Sequence, residues 1–308
     1  MNKSLTGIQK LCCTVVSALV PVRKWRHKVR YMLNPLNDKR CVSYFAKRYA
    51  ARYAGRDFAI TPARTLPAGS EPLWMCWLQG ERQMPELVKR CVHSVEKHKT
   101  ENQQIFIITE ENHAQYITLP DFIVTQRRQG TIGNAHFADI IRVYLLAAYG
   151  GYWIDATCLM TGSFPEEISE QPFFMYHSQG EFAYTLIQNC FIHAAKGNYL
   201  ITRWAQLMTA LWREECRLLH YFQHHLMFKA MITVDERARK EYESMPHMDD
   251  KAMHTIQEWA KNNVPLSPER LAEAARNSFI HKLTYKIAVY NGLVMMLQRP
   301  CNDVTTAL

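Results

Sequence analysis

Three charged residues in one short stretch of this 308-residue chain carry the clearest chemistry. Asp139 and Arg142 sit among Phe137, Ile140, Ile141, Tyr144, Leu145 and Ala148, which recur at helical spacing. Residues three apart share a helix face, so Asp139 and Arg142 can pair; taken alone they read as a surface ion pair worth a few tenths of a kcal/mol. Asp155 follows a Gly150-Gly151 break and the apolar run Tyr152-Trp153-Ile154. It stands where a strand would leave a sheet, and in open α/β sheets ligands bind outside the carboxyl ends of the strands. The combination points to ligand binding: two charges on a helix, a glycine stop, and a strand delivering a second acid.

The elements that must position these groups form an α/β alternation. The central helix runs over 135–149, and Gly150-Gly151 ends it, since glycine takes left-handed conformations without a steric penalty. Before it, the pattern predicts a strand over 73–78, a turn at Gln79-Gly80, and a helix opened by Pro85 with Leu87, Val88, Cys91, Val92 and Val95 on one face. A strand over 104–109, a short helix and a strand near 122–125 follow. Strands are expected near 173–177 and 189–194. From Tyr199 the pattern is helical, at 199–216, 217–231, 233–244, 250–262 and 267–276. No Gly-x-Gly-x-x-Gly, Walker A or Gly-x-Ser-x-Gly motif occurs, so dinucleotide-binding, P-loop and hydrolase-elbow readings lack support.

Charge is uneven. Residues 1–60 hold 13 Lys or Arg against Asp38 and Asp57, whereas the remaining 248 residues hold 24 basic against 26 acidic side chains. The division suggests a basic, helical N-terminal arm (1–60), a Pro/Gly/Ser-containing linker (61–71), and a main domain (72–308) whose helical portion begins near 199. The arm interleaves Trp25, Tyr31, Tyr44, Phe45, Tyr49 and Tyr53 with its cations, a mixture suited to an anionic membrane surface; a solvated basic helix pair is the plainer alternative. The apolar run Leu11–Val22 is short of the roughly 20 residues a membrane span needs. Nine dispersed cysteines without Cys-x-x-Cys fit reduced thiols in a cytoplasm. His220 and His224 have the i, i+4 spacing of a zinc pair, but no third ligand is in view.

The block Asp139-x-x-Arg142, Tyr149-Gly150-Gly151 and Asp155-Ala156-Thr157 resembles the sugar-nucleotide-binding core of glycosyltransferase family 32 and of bacterial capsular polysaccharide synthesis proteins. The clostridial toxin glucosyltransferases share the arrangement. The likeness spans roughly 72–230 and, more weakly, continues to 285. It implies a GT-A-type, Rossmann-like nucleotide-binding sheet with a helical C-terminal portion. It also implies a hexosyltransferase (EC 2.4) moving a sugar from a nucleotide-sugar, expected to be a UDP-sugar, with retention, onto a bacterial surface polysaccharide, lipid-linked or lipopolysaccharide acceptor. The expected location is cytoplasmic, peripheral on the inner face of the membrane.

The resemblance also assigns roles. Asp155, Arg142 and Asp139 would be catalytic, with Asp139 and Arg142 contacting the donor sugar. Trp77, in Trp77-Leu-Gln-Gly80, would stack on the base, with Trp74 left to the core. Asn134 and His136 would face the donor. Lys282 would neutralise the diphosphate, and a surface helix cap is the plainer reading of His281-Lys282. Mn²⁺ or Mg²⁺ would be held by Asp155, Thr157 and His281. The broad family carries Asp-x-Asp where this chain has Asp155-Ala156-Thr157, leaving one carboxylate at the turn. That departure sustains a second class of reading, a non-catalytic membrane- or nucleic-acid-associated protein with a degenerate transferase domain. A toxin-like protein glycosyltransferase is the third.

Overall fold

The computed structural model describes residues 37–285. The first 36 residues of the basic arm, with the Leu11–Val22 run, lie outside the described residues.

The described chain opens with α1 (Asp38–Phe45), prolonged by a π turn over Ala46–Ala50 and a last turn over Ala51–Tyr53. Next come β1 (Glu71–Cys76), α2 (Glu86–His98), β2 (Gln103–Ile108), α3 (Asp121–Arg128) and α4 (Asn134–Tyr149). Then follow β3 (Gly151–Ile154), β4 (Cys158–Met160), α5 (Glu166–Ser169), β5 (Phe173–His177) and β6 (Ile187–Ala194). The helical portion comprises α6 (Tyr199–Glu215), α7 (Gln223–Val234), α8 (Glu236–Glu243), α9 (Lys251–Lys261) and α10 (Pro268–Asn277), and β7 (Ile280–Lys282) closes the described region.

The main sheet has the order β2-β1-β3-β6-β5. β1 runs parallel to β2 and β3, while β6 is antiparallel to β3 and β5. A parallel half thus joins an antiparallel half in one mixed sheet, the α/β architecture expected. β4 and β7 form a separate antiparallel ribbon in which Cys158 faces Lys282.

Gly150 and Gly151 are required where they stand. Their φ angles are 73° and 85°, and a Cβ on Gly151 would lie 2.2 Å from the Pro72 carbonyl oxygen. β3 therefore enters the sheet hard against β1. Trp74, fully buried on β1, seals the junction by donating from Nε1 to the Gly150 carbonyl at 3.0 Å. α4 packs its apolar face against the sheet and α6, and Trp153, Trp204 and Trp212 fill the space between the layers.

Several sequence expectations need correction. Residues 122–125 are helical, within α3. Pro120 precedes the first turn, Asp121 stands at its positive end, and Arg127 and Arg128 at its negative end, so the termini complement the helix dipole. Only Ile123 and Gln126 of α3 are buried, a helical rather than a strand pattern. The helix expected over 217–231 starts only at Gln223, because Cys216 turns left-handed (φ 50°) and ends α6. The ribbon strands β4 and β7 had no expected counterpart. The division near residue 60 also separates parts that pack together: Phe45 and Tyr49 are fully buried, both Tyr44 and Tyr49 donate to Glu215 at the end of α6, and Arg48 and Arg52 pair with Glu214 at 2.8 and 2.9 Å. Residues 61–70 are likewise tied down, with Pro62 bridged to Ile117.

Gly151→Ala is expected to destabilise the protein by about 3 kcal/mol or more, lowering its melting temperature by roughly 5–10 °C. Calorimetry showing a wild-type midpoint would refute the close β1–β3 approach.

Candidate active site

A cleft of about 530 Å³ opens at the carboxyl ends of β1 and β3, where the sheet changes from parallel to antiparallel. Helix α4 brings Asp139 and Arg142 to it, β3 leads into Asp155, and the β4–β7 ribbon brings Thr157 and Lys282. The Asp155 backbone is fixed from β6, its N–H donating to the Cys190 carbonyl at 2.8 Å.

Arg142 is the pivot. Its Nη1 donates to Asp139 Oδ1 and its Nη2 to Asp155 Oδ1, each at 3.0 Å. Its guanidinium lies over the Trp153 ring, 4.7 Å from the centroid, and Trp153 Nε1 donates to the same Asp155 oxygen at 2.8 Å. Asp139 and Arg142 are buried, so the surface-pair reading fails. A buried guanidinium without both acids would be an uncompensated charge.

The other oxygen of Asp155 belongs to Lys282. Its Nζ donates to Asp155 Oδ2 at 2.6 Å and to Thr157 Oγ1 at 2.8 Å. Burial alone would lower the Lys282 pKa, but the adjacent carboxylate outweighs it and holds the value above the usual lysine range. For Asp155, burial opposes ionisation, and Lys282 and Arg142 together overcome it, lowering its pKa.

Asp139 is also kept ionised. Burial works against the charge, while His224 and Arg142 work for it, and the pKa falls below the carboxylate range. Of these two partners Arg142 carries the permanent charge. His224, fully buried and stacked on Trp204 at 4.0 Å, has its own pKa pushed well down by burial. Asn189 donates to Asp139 Oδ1 at 3.1 Å and lies 3.3 Å from His224 Nδ1. His136 Nδ1 stands 3.8 Å from the remaining oxygen, Oδ2.

Trp77 lines the cleft from just beyond β1, half-buried, with Tyr285 edge-on at 5.4 Å. Trp74 is the core tryptophan, fully buried. Asn134 lies on the cleft rim at the start of α4, where its Oδ1 accepts from Arg127 Nη2 at 2.8 Å. The structure thus brings Trp77, Asn134, His136, Asp139, Arg142, Asp155, Thr157 and Lys282 to one cleft.

His281 is the exception and corrects the expected metal-ligand set. Neighbouring strand residues point to opposite faces. Lys282 takes the cleft side, so His281 faces away, fully buried and outside the cleft lining, in the ribbon that packs on α9. Among the described residues no group of three or more His, Cys, Asp or Glu side chains is arranged to hold a metal. What remains is a pair of hard oxygens, Asp155 Oδ2 and Thr157 Oγ1, converging on one point. Such a pair fits Mg²⁺ or Mn²⁺ when phosphate and water complete the shell, but the Lys282 ammonium stands at that point.

Asn189, Gln188, Trp153 and His225 also line the cleft and were not singled out as site residues by the sequence. A weak signal existed: Gln188 and Asn189 interrupt an otherwise apolar strand, and Trp153 shares strand parity with Asp155.

The family model for capsular polysaccharide synthesis proteins matches residues 39–294. This chain belongs to the capsular polysaccharide synthesis protein family. The match takes in both the core and most of the ribbon-and-helix half, including Asp139, Arg142, Asp155 and Lys282. A curated relative, the O-glycosyltransferase braB of Annulohypoxylon truncatum, is 24% identical over 173 residues, covering 50% of this chain and 41% of that protein. The family member therefore spans about two-fifths of the length of that relative. Among solved structures, the PaToxG glycosyltransferase aligns over 89% of this chain and 99% of its own, with a TM-score of 0.40 and 11% identity.

Burial lowers the pKa of His193, His225 and His281 to about 4 and pushes that of His224 well down. These histidines fold neutral, while the unfolded chain takes up protons near pH 6.5. Their stabilising contribution is complete above about pH 6.5 and is lost as pH falls towards about 4. The melting temperature should decline steadily between those limits and do so less steeply in His224→Gln; a flat profile would contradict neutral burial.

Proposed function

We propose that this protein is a glycosyltransferase that moves a hexose from a nucleotide-sugar, a UDP-sugar by resemblance, to a hydroxyl of a surface-glycan acceptor with retention of configuration. One observation carries the reading: Arg142 clamped between Asp139 and Asp155 in a cleft at the sheet's switch point, inside a chain matched to its family over residues 39–294.

In the reaction, the bond between the anomeric carbon and the diphosphate oxygen breaks and a bond from the acceptor oxygen forms. Negative charge develops on the departing diphosphate, and cations close to it stabilise that charge. Arg142 and Lys282 supply that charge. Asp139, held through Oδ1, directs Oδ2 at the sugar hydroxyls. Trp77 stacks on the base. The acceptor proton leaves with the diphosphate, so no protein nucleophile is required. Asp155 and Thr157 would hold a divalent cation, which would contribute further charge neutralisation at the diphosphate. His281 takes no part.

The basic N-terminal segment supports peripheral attachment to an anionic membrane face, where each cation contributes about 1 kcal/mol. Among the described residues, no helix is long and apolar enough to cross a membrane.

Donor turnover tests the reading directly. Purified protein with Mn²⁺ or Mg²⁺ and a panel of nucleotide-sugars should release free nucleotide from one donor, at least about 100-fold faster than Asp155→Ala. Equal release by both proteins would remove Asp155 from the chemistry. A second experiment addresses the cation. Lys282→Met vacates the point between Asp155 and Thr157, so Mn²⁺ followed by electron paramagnetic resonance should bind the donor-free variant more tightly than wild type. Identical affinities would show that Lys282 and the metal do not compete.

A further inference from the structure

The donor chemistry uses one wall of the cleft, and a second surface meets the cleft at its mouth. The loop between α6 and α7 carries Leu218, Tyr221 and Phe222, and the 3-10 segment Gly180–Thr185 carries Phe182 and Tyr184. Phe222 joins them: its ring lies 5.8 Å from Phe182, 5.9 Å from Tyr184 and 5.0 Å from Tyr221. Two of the five exposed large hydrophobic side chains among the described residues fall here, Phe182 at 39% and Tyr221 at 64%, and Leu218 at 41% is exposed on the same loop. Contiguous exposed apolar side chains, unlike singly scattered ones, mark candidate binding surfaces.

Its position narrows the occupant. Tyr221 and Phe222 reach the cleft, and the Tyr221 ring lies 5.7 Å from His136, which neighbours Asp139. The same cleft is lined by the His225 imidazole and by Gln188 and Asn189, whose NH2 groups donate to Asp250 and Asp139 and whose amide oxygens remain as acceptors. Burial holds His225 neutral at pH 7. Aromatic faces beside neutral hydrogen-bonding groups match a sugar ring, which has an apolar C–H face and a hydroxyl edge. A phosphate would call for cations, and a lipid chain for an apolar groove without amides.

We propose that Phe182, Tyr221 and Phe222 form the acceptor subsite, stacking against the apolar face of a neutral hexose unit whose hydroxyl edge turns towards Gln188 and Asn189. The assignment rests on the transferase reading and adds where the acceptor binds and what class of group it presents. It also gives the loop at 216–222 a purpose: by breaking the helix there, the chain places two aromatic rings over the cleft instead of packing them against α6.

Saturation-transfer NMR on the full chain with UDP present tests this, using methyl glycosides of glucose, galactose and N-acetylglucosamine as probes. At least one should bind wild type, with affinity roughly tenfold weaker in Tyr221→Ala and in Phe182→Ala and restored in Tyr221→Trp. UDP affinity, measured on the same samples, reports separately on folding and on the donor site. Wild-type protein that binds UDP but no glycoside would overturn the subsite, as would glycoside affinity indifferent to both alanine variants. Uptake of a polyprenyl phosphate by the shelf, lost in the same variants, in place of any glycoside would overturn the sugar assignment in favour of the lipid part of an acceptor. Failure of wild type to bind any nucleotide would instead strike at the donor reading.

Discussion

A buried guanidinium shared by two carboxylates organises the centre of this molecule. Without its partners Arg142 would be an uncompensated buried charge, and with Lys282 at Asp155 and His224 at Asp139 it favours the ionised form of both acids. Asp139 comes from the same helix, but Asp155 comes from the far end of β3, so one side chain ties α4 to the exit of the sheet. Trp153 reinforces the tie by stacking beneath the guanidinium and donating to Asp155. The interaction is costly to assemble and strongly directional. Such a cluster contributes less to net stability than to a single defined geometry, which is what a site that must meet charge developing on a leaving group requires.

That geometry depends on how closely the backbones approach. Gly151 lets β3 lie against Pro72 where any Cβ would collide with the carbonyl. The tight entry sets the height of Asp155 relative to Trp77, which leaves β1 beside it. On the other flank β6 runs antiparallel and supplies the Cys190 carbonyl for the Asp155 N–H and the Asn189 amide for Asp139. The switch from parallel to antiparallel pairing is therefore what opens the cleft and what fixes both of its acids.

Much of this was legible in the residues, for identifiable reasons. The helix over 135–149, the glycine stop, and the strands at 73–78, 104–109, 173–177 and 189–194 announce themselves because long periodic runs and positive-φ glycines are local signals. Segment 122–125 misleads because four residues of mixed apolar character satisfy either period. Only the flanking Pro120, Asp121 and the terminal arginines decide for a helix, through capping and the dipole rather than hydrophobicity. The β4–β7 ribbon is illegible because three-residue strands far apart in sequence carry almost no pattern, and their pairing is a tertiary event. For the same reason His281 and Lys282 could not be told apart: which of two neighbours faces the cleft depends on the register with Cys158. Asn189 was hidden for another reason, since its role is to complete the hydrogen bonding of an acid fifty residues away.

Lys282 completes the charge balance of the cleft. Asp139 and Asp155 are balanced by Arg142 and Lys282, so the donor-free cluster is neutral and both oxygens of Asp155 are engaged. An arriving diphosphate upsets this balance and competes with Asp155 for the ammonium. A lysine on a flexible stem can answer by shifting from carboxylate to phosphate, whereas Arg142, held at both ends, cannot. With Lys282 drawn away, Asp155 Oδ2 and Thr157 Oγ1 would be left as bare oxygens that could hold a divalent cation, which would supply further positive charge. A second carboxylate at residue 157 would bind Lys282 more firmly and oppose that exchange. At residue 157 the chain thus offers its cationic neighbour on β7 a hydroxyl instead of a carboxylate.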